Sequence, residues 1–374
     1  MKLIKLTGVA LMCATVFASC ENNDGPELPV INEGNVYVIC NGALNNQIPG
    51  SITSYDPETK AATLSAFAKA NGRTIGSSVE SATGANGIIY FVCTQENRIE
   101  LADQFTLMSK GSIDMVRLFG QKGTSPRFAA YYYGRLYITT YSGYVCVVNA
   151  TTLQAITTYE VGSYPEELSI VPSSTNPNEA KIWVANSDYG RGMNASISCI
   201  NLSTGIVENI TDPAIKNPYQ ILASEDYVWI LDRGGYDESW NQVGAGLYCY
   251  TIVSKQMQKL ADATMMSGAT NEKVVVCNNP WNNVPVTPTY AKVDLYTGMQ
   301  TALPNVKVDY PSFVAYNPLD GNIYVGSNKT NPDTGYADFS GNGYVGVFDT
   351  DGNPLSTFDC GVNPMNIIFT YSME

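Results

Sequence analysis

Val36-Tyr37-Val38-Ile39-Cys40, Ile88-Ile89-Tyr90-Phe91-Val92, Leu136-Tyr137-Ile138-Thr139, Ile182-Trp183-Val184-Ala185, Val228-Trp229-Ile230-Leu231, Val274-Val275-Val276-Cys277 and Ile323-Tyr324-Val325-Gly326 are seven versions of one short apolar segment. Their starts, at 36, 88, 136, 182, 228, 274 and 323, lie 46 to 52 residues apart. A repeat of that period is the mark of stacked supersecondary units rather than of one large irregular core.

The flanks of each copy define the unit. A second alternating segment follows each: Ile52 to Tyr55, Arg98 to Ala102, Tyr144 to Val148, Ile197 to Leu202, Leu247 to Ile252, Tyr290 to Leu295 and Tyr344 to Phe348. Tight turns come next, such as Asp56-Pro57-Glu58-Thr59 and Asp349-Thr350-Asp351-Gly352, and then a third strand such as Ile156 to Val161. The next unit opens with a proline-containing lead-in, as in Ser125-Pro126-Arg127-Phe128, Tyr164-Pro165-Glu166-Glu167 and Asn217-Pro218-Tyr219-Gln220. Four short strands per unit predict a propeller blade, and seven blades predict an all-β, seven-bladed β-propeller. The first copy lacks its own leading strand, whereas Asn363-Pro364-Met365-Asn366-Ile367-Ile368-Phe369 at the other end has that pattern. The C-terminal strand is therefore expected to complete the first blade.

The first twenty residues read differently. Lys2 and Lys5 precede a mostly apolar run from Leu3 to Phe17, which closes on Phe17-Ala18-Ser19-Cys20. This is a secretory signal with small residues before a cysteine. It resembles the lipobox of bacterial lipoproteins, which implies lipidation at Cys20. The expected organisation is residues 1–20 as signal peptide, 21–34 as a flexible leader and 35–374 as the propeller. Loss of residues 1–20 leaves 19 basic against 34 acidic residues, a net charge of 19 − 34 = −15. An acidic chain without a basic stripe argues against nucleic acid as a partner.

Long loops in a compact repeat tend to carry function. In this architecture, loops joining strands two to three and strands four to one share one face. On that face lie 41–50, 114–127, 188–194, 211–218, 233–246, 278–289 and 328–343, whereas the opposite face has short turns. The long loops are rich in aromatic and amide side chains. The candidate ligand-binding residues are Tyr141, Asn186, Tyr189, Arg191, Asp232, Arg233, Tyr236, Trp240, Asn278, Trp281 and Tyr336. Trp183 and Trp229, on second strands, are expected in the core. Flat aromatic surface among amides suits a large, mostly neutral ligand with many hydrogen-bonding groups.

Some chemistry is missing. The chain has no histidine, which removes imidazole bases, histidine-dependent triads and most zinc sites. No metal site is expected, and no catalytic residue. Cys146, Cys199 and Cys249 take equivalent places on third strands, and Cys40, Cys93 and Cys277 end second strands. Equivalent places on different blades are held apart by the sheets, so these and Cys360 are expected as buried free thiols. Glu80, Glu166, Glu167, Asp232 and Asp309 are the carboxylates that a propeller lactonase or calcium-dependent hydrolase would draw on.

Ile182-Trp183-Val184-Ala185-Asn186, followed by Ile197-Ser198-Cys199-Ile200-Asn201 and Thr204-Gly205, resembles the YVTN (YncE-like) propeller repeat, and so does Tyr159-Glu160-Val161-Gly162 before Tyr164-Pro165. With the lipobox, the short acidic leader and the Tyr- and Asn-rich loops, the chain is similar to the BtuG-type cobalamin-binding surface lipoproteins of Bacteroidota. That resemblance implies a lipid-anchored protein at the outer-membrane surface. It also implies a corrinoid, cobalamin, bound on one propeller face with no intrinsic cofactor, and a TonB-dependent outer-membrane transporter as partner. A glycan- or protein-binding propeller is the alternative within the binding class. A carboxylate-dependent lactonase or hydrolase is the alternative among enzymes.

Overall fold

The structure, a computed structural model, describes residues 31–268, 270, 272–284 and 286–373. Cys20 and the signal segment lie outside the described residues. Seven four-stranded antiparallel sheets form a ring. From the axis outward, blade 1 runs Pro364–Met373, Ile31–Cys40, Ser51–Asp56, Ala61–Thr63. Blade 2 runs Val79–Ala85 to Ser109–Asp114, blade 3 Pro126–Tyr132 to Ala155–Glu160, and blade 4 Pro165–Val171 to Val207–Ile210. Blade 5 runs Pro218–Ala223 to Gln256–Ala261, blade 6 Met265–Gly268 to Gln300–Ala302, and blade 7 Tyr310–Tyr316 to Pro354–Val362.

The ring closes as the repeat pattern predicts. The C-terminal strand pairs antiparallel with the first strand of the chain, with Tyr37 opposite Ile368 and Val38 opposite Ile367. Pairing also joins Ile31 to Met373 and Glu33 to Tyr371, so the first blade begins several residues ahead of the expected 34/35 boundary.

The second strands explain why the repeat was so apolar. Each is a middle strand with both faces covered by neighbouring blades, so alternate side chains enter two different cores. Val36, Val38 and Cys40 pack toward blade 7, whereas Tyr37 and Ile39 pack toward blade 2. Ile182 and Val184 join blade 3, and Trp183 and Ala185 join blade 5. Seven such clusters lie at the seven seams. Trp183 and Trp229 are buried as expected, and Trp229 Nε1 donates to the Leu295 carbonyl at 2.8 Å.

Innermost strands leave one edge unpaired toward the axis, and side chains from the neighbouring blade satisfy part of it. Ser81 Oγ donates to the Arg127 carbonyl, while the amides of Ile221, Ala223, Met266 and Tyr316 donate to Glu167, Ser169, Gln220 and Ser267. Most turns of the face opposite the long loops are short and closed by an Asp or Asn side chain accepting backbone amides, as at Asp56, Asp103, Asn149, Asn201, Asp294 and Asp349. The segment 172–180, with a 3-10 turn at Pro177–Glu179, is the long exception on that face.

All seven described cysteines are free, and six are buried. Cys277 stands one residue short of its strand end at Asn278. Burial pushes the Cys93, Cys146 and Cys277 thiols up to about 12, which leaves almost no thiolate at neutral pH. Cys360 faces Cys40 across the seam between blades 7 and 1. Thiol titration of a chain lacking residues 1–20 should find at most one fast-reacting group in the native state and seven after unfolding without reductant. Two fewer after unfolding would mean that Cys40 and Cys360 are joined.

Candidate ligand-binding face

The innermost strands of blades 2 to 5 bring charged and aromatic groups to the axial mouth beneath the long loops. Arg127, the residue after the proline that opens blade 3, is buried between two carboxylates. Its Nη1 lies 3.0 Å from Glu80 Oε1 and its Nε donates to Glu166 Oε2 at 3.0 Å. Burial alone would lower its pKa, but Glu166 and Glu80 more than reverse this and keep it charged. Tyr141 Oη donates to Glu166 Oε1 at 2.7 Å, and Ser187 Oγ donates to the same oxygen at 3.3 Å. Asn41 Nδ2 and Ser78 Oγ donate to Glu80 Oε1 at 3.1 and 3.0 Å. Burial and the adjacent Glu166 push the Tyr141 hydroxyl up, so it stays a proton donor.

This cluster is saturated with partners. It sets the position of rings: Arg127 lies over Tyr141 with its guanidinium carbon 4.6 Å from the ring centroid. Tyr141, Tyr164 and Tyr189 then contact one another edge-on or tilted at 5.1 to 6.1 Å. Arg191 covers Tyr164 at 5.3 Å and Tyr189 at 5.9 Å, and Arg233 covers Tyr219 at 3.3 Å. The result is a continuous aromatic and guanidinium belt across blades 3, 4 and 5.

The next sector is built from two interlocked loops. Within the blade 5 loop, Gly235–Tyr236 pairs with Gln242–Val243 as a small ribbon, structure where the sequence had suggested only loop. The Gln242 amide donates to the Trp281 carbonyl at 2.7 Å, and the Trp281 amide donates to Gln242 Oε1 at 2.9 Å. The Asn283 amide donates to Asn241 Oδ1 at 3.1 Å. These bonds hold the loops through backbone and amide groups and leave the indoles free. Trp240 is 70 % exposed, Trp281 60 % and Tyr236 54 %, and Tyr236 and Trp240 touch at 6.2 Å. In blade 7 the loop folds on itself, its Asn331 amide donating to the Tyr336 carbonyl, and it presents Tyr336 and Phe339.

Of the eleven candidate residues, Tyr189, Arg191, Tyr236, Trp240, Trp281 and Tyr336 are exposed on this face. Tyr141 and Arg233 are half-buried in the belt, and Asn278 is half-buried at its strand end opposite Thr289. Asn186 and Asp232 have a different role. Asn186 is fully buried, and its Nδ2 donates to Ser196 Oγ and Ser198 Oγ at 3.1 and 2.8 Å. Asp232 is fully buried and accepts from the amides of Lys216, Asn217 and Gly234 at 2.8, 2.9 and 2.6 Å. Asp232 holds the adjoining strand-four-to-one loop in place, and Asn186 ties its strand to Ser196–Asn201 beside it. Both side chains are buried and do not reach the face.

Arg127, Tyr164 and Tyr219 were not anticipated. Tyr219 and Arg127 each directly follow the proline that opens an innermost strand, and Tyr164 directly precedes one, so the lead-in motif itself was the available signal. The five candidate carboxylates do not converge. Glu80 and Glu166 clamp Arg127, Asp232 caps a loop, and Asp309 accepts from Thr330 Oγ1. Among the described residues no group of three Cys, Asp or Glu side chains is placed to hold a metal ion.

Glu167 lies beside the axis, where its Oε2 accepts from the Ile221 amide at 3.3 Å. Burial, partly offset by that amide and by the Gln220 side chain, raises its carboxyl from 4.5 to about 7. The folded state therefore keeps a proton that the unfolded chain releases, and stability falls as pH rises from about 4.5 to about 7. Glu167→Gln should match the wild-type melting temperature near pH 4.5. At pH 8 it should exceed the wild type by an amount equivalent to about 1–3 kcal/mol. Parallel melting curves for the two proteins across that range would remove the assignment.

No family model matches the chain, and no curated protein matches its sequence. Solved structures do match in shape. Kuenenia stuttgartiensis hydrazine synthase aligns with a TM-score of 0.52 at 16 % identity over 71 % of this chain and 74 % of that one. The WD40 repeats of RRP9 align with a TM-score of 0.52 at 10 % identity over 76 % and 81 %. The protein is a seven-bladed β-propeller. At these identities the likeness shows the fold alone, and that fold is compatible with binding either a ligand or a protein.

Proposed function

We propose that the protein is a binding lipoprotein rather than an enzyme, and that its loop-bearing face captures cobalamin or a related corrinoid. A corrinoid is a broad disc edged with amide side chains. It calls for aromatic area plus neutral hydrogen-bonding groups, and it needs no cluster of charge. The observation that carries this reading is the set of exposed rings, Tyr189, Tyr236, Trp240, Trp281, Tyr336 and Phe339, on loops secured by their own hydrogen bonds. Rings held this way lose little conformational freedom when a ligand lands on them. Without histidine, the protein would take the intact vitamin from outside, leaving its lower axial base in place. The Cys20 lipobox and the YncE-like repeat add the rest of the proposal: a lipid anchor at the outer-membrane surface and delivery to a TonB-dependent transporter. Calorimetric titration with cyanocobalamin, with haem and neutral glycans as controls, tests the ligand. Absence of cobalamin binding at micromolar concentration would end the reading, and saturable glycan binding would replace it.

A further inference from the structure

The chain carries a formal charge of −13, yet the sector between blades 4 and 5 presents cations outward. Arg191 is exposed on the 187–195 loop and Arg233 is half-buried at the root of the 233–245 loop. The two loops meet at the 211–217 segment. A Cβ on Gly190 would lie 3.2 Å from Asn217 Nδ2, and the Asn217 carbonyl accepts the Arg233 amide at 2.8 Å. Exposed Lys216 stands beside this junction, its side chain 3.4 Å from where a Cβ on Gly192 would sit.

Three carboxylates of the sector, Asp188, Asp232 and Glu166, are buried. Asp188 is 1 % exposed and accepts from the Met193 and Asn194 amides at 3.1 and 3.0 Å. Asp232 is spent on three amides, and Glu166 on Arg127, Tyr141 and Ser187. Asp212 and Asp237 accept amides of their own turns, and Glu238 lies farther along the blade 5 loop. Among the described residues no carboxylate lies within ion-pair distance of Arg191 or Arg233. Both guanidiniums instead rest on tyrosine faces, Arg191 on Tyr164 and Tyr189 and Arg233 on Tyr219. A guanidinium stacked on a ring keeps its in-plane N–H donors free, and that planar fork matches the oxygens of a phosphodiester.

We infer that Arg191 and Arg233 form an anion subsite that takes a phosphodiester monoanion on the bound ligand. This rests on the proposed ligand-binding face and adds to it a charged anchor at its blade 4–5 edge. The surrounding rings would hold the neutral part of the ligand while the two forks fix its orientation.

Two arms test it. In the first, the protein labelled with 15N at arginine is titrated with dimethyl phosphate at millimolar concentration, and the side-chain Nε–H signals are followed. The Arg191 and Arg233 signals should move together and saturate, those of Arg73 and Arg98 should not, and neutral trimethyl phosphate should move none. No saturable shift, or an equal shift at every arginine, overturns the subsite, and this arm needs neither a variant nor a corrinoid. In the second, Arg191→Gln with Arg233→Gln should weaken cyanocobalamin binding by about 10–100-fold, the scale of charge-assisted hydrogen bonds. Dicyanocobinamide, the corrinoid ring without the phosphodiester tail, should bind both proteins equally. Equal losses for the two corrinoids would mean that the arginines act through ring contact, and the charge assignment would fall. If no corrinoid binds at all, the proposed function fails while the dimethyl phosphate arm still decides the subsite.

Discussion

Deletion of residues 363–374 is expected to abolish cooperative unfolding and drive the protein into aggregates. The segment supplies the innermost strand of blade 1, and eight residue pairs join it to Ile31–Cys40. Its removal bares the edge of a strand whose Val36, Tyr37, Val38 and Ile39 are at most 1 % exposed. It also strips Ile367 and Phe369 from the blade 7 seam and Ile368 from the blade 2 seam. Each buried aliphatic or aromatic side chain contributes about 1.5–3 kcal/mol, and each ladder hydrogen bond about 0.5–1.5 kcal/mol. Together these are comparable to the ~5–15 kcal/mol by which a whole domain is stable. The bared edge then offers a template for pairing with another chain. Size-exclusion chromatography and a thermal melt decide the matter. A soluble monomer that melts at the wild-type temperature would show that closure by this strand is dispensable.

Replacing Trp240 and Trp281 together by alanine should weaken cyanocobalamin binding by several orders of magnitude and leave the apo melting curve nearly unchanged. Aromatic anchors at interfaces contribute about 2–4 kcal/mol each when they are buried by a partner, roughly 30- to 1,000-fold per residue. Both indoles are exposed in the free protein, so their removal creates no cavity. The bonds that lock the two loops run through the Trp281 amide and carbonyl and through Gln242, Asn241 and Asn283, all of which survive truncation to alanine. Trp240 has a left-handed backbone, φ 62°, which alanine occupies at a similar cost. Glu58→Ala with Thr350→Ala, on the opposite face, should change neither affinity nor stability. A loss of affinity in that control pair would place the ligand on the wrong side of the ring. A loss of melting temperature in the tryptophan pair would mean that the rings brace their loops.

The fold was legible in the sequence because a propeller repeats one local pattern seven times. A middle strand covered on both faces must be apolar at every position, and Val36–Cys40, Ile182–Ala185 and Val274–Cys277 show that without any tertiary information. Closure was legible as well, since Pro364–Phe369 has the pattern of the strand that the first blade lacks. The composition of the loops likewise pointed to one face, and Tyr189, Tyr236, Trp240, Trp281 and Tyr336 are exposed there.

What the sequence determined by itself is thus whatever depends on periodicity: strand number, blade number, ring closure, the buried tryptophans and the side of the ring that carries the long loops. What only the tertiary structure decided is which polar groups reach solvent and which neighbours they meet. Asn186 and Asp232 look like surface ligands in a string of residues, but their strand ends bury them, Asn186 against the Ser196 and Ser198 hydroxyls and Asp232 against backbone amides. Arg127 looks like any loop arginine, but the ring sets it between Glu80 of blade 2 and Glu166 of blade 4. Arg191 and Arg233 are 42 residues apart in the chain, and the loops that carry them meet at Asn217. Hydrogen bonds and charge pairs act over a few ångströms between segments distant in sequence, so their pairing is fixed by how the blades stack and by no local pattern.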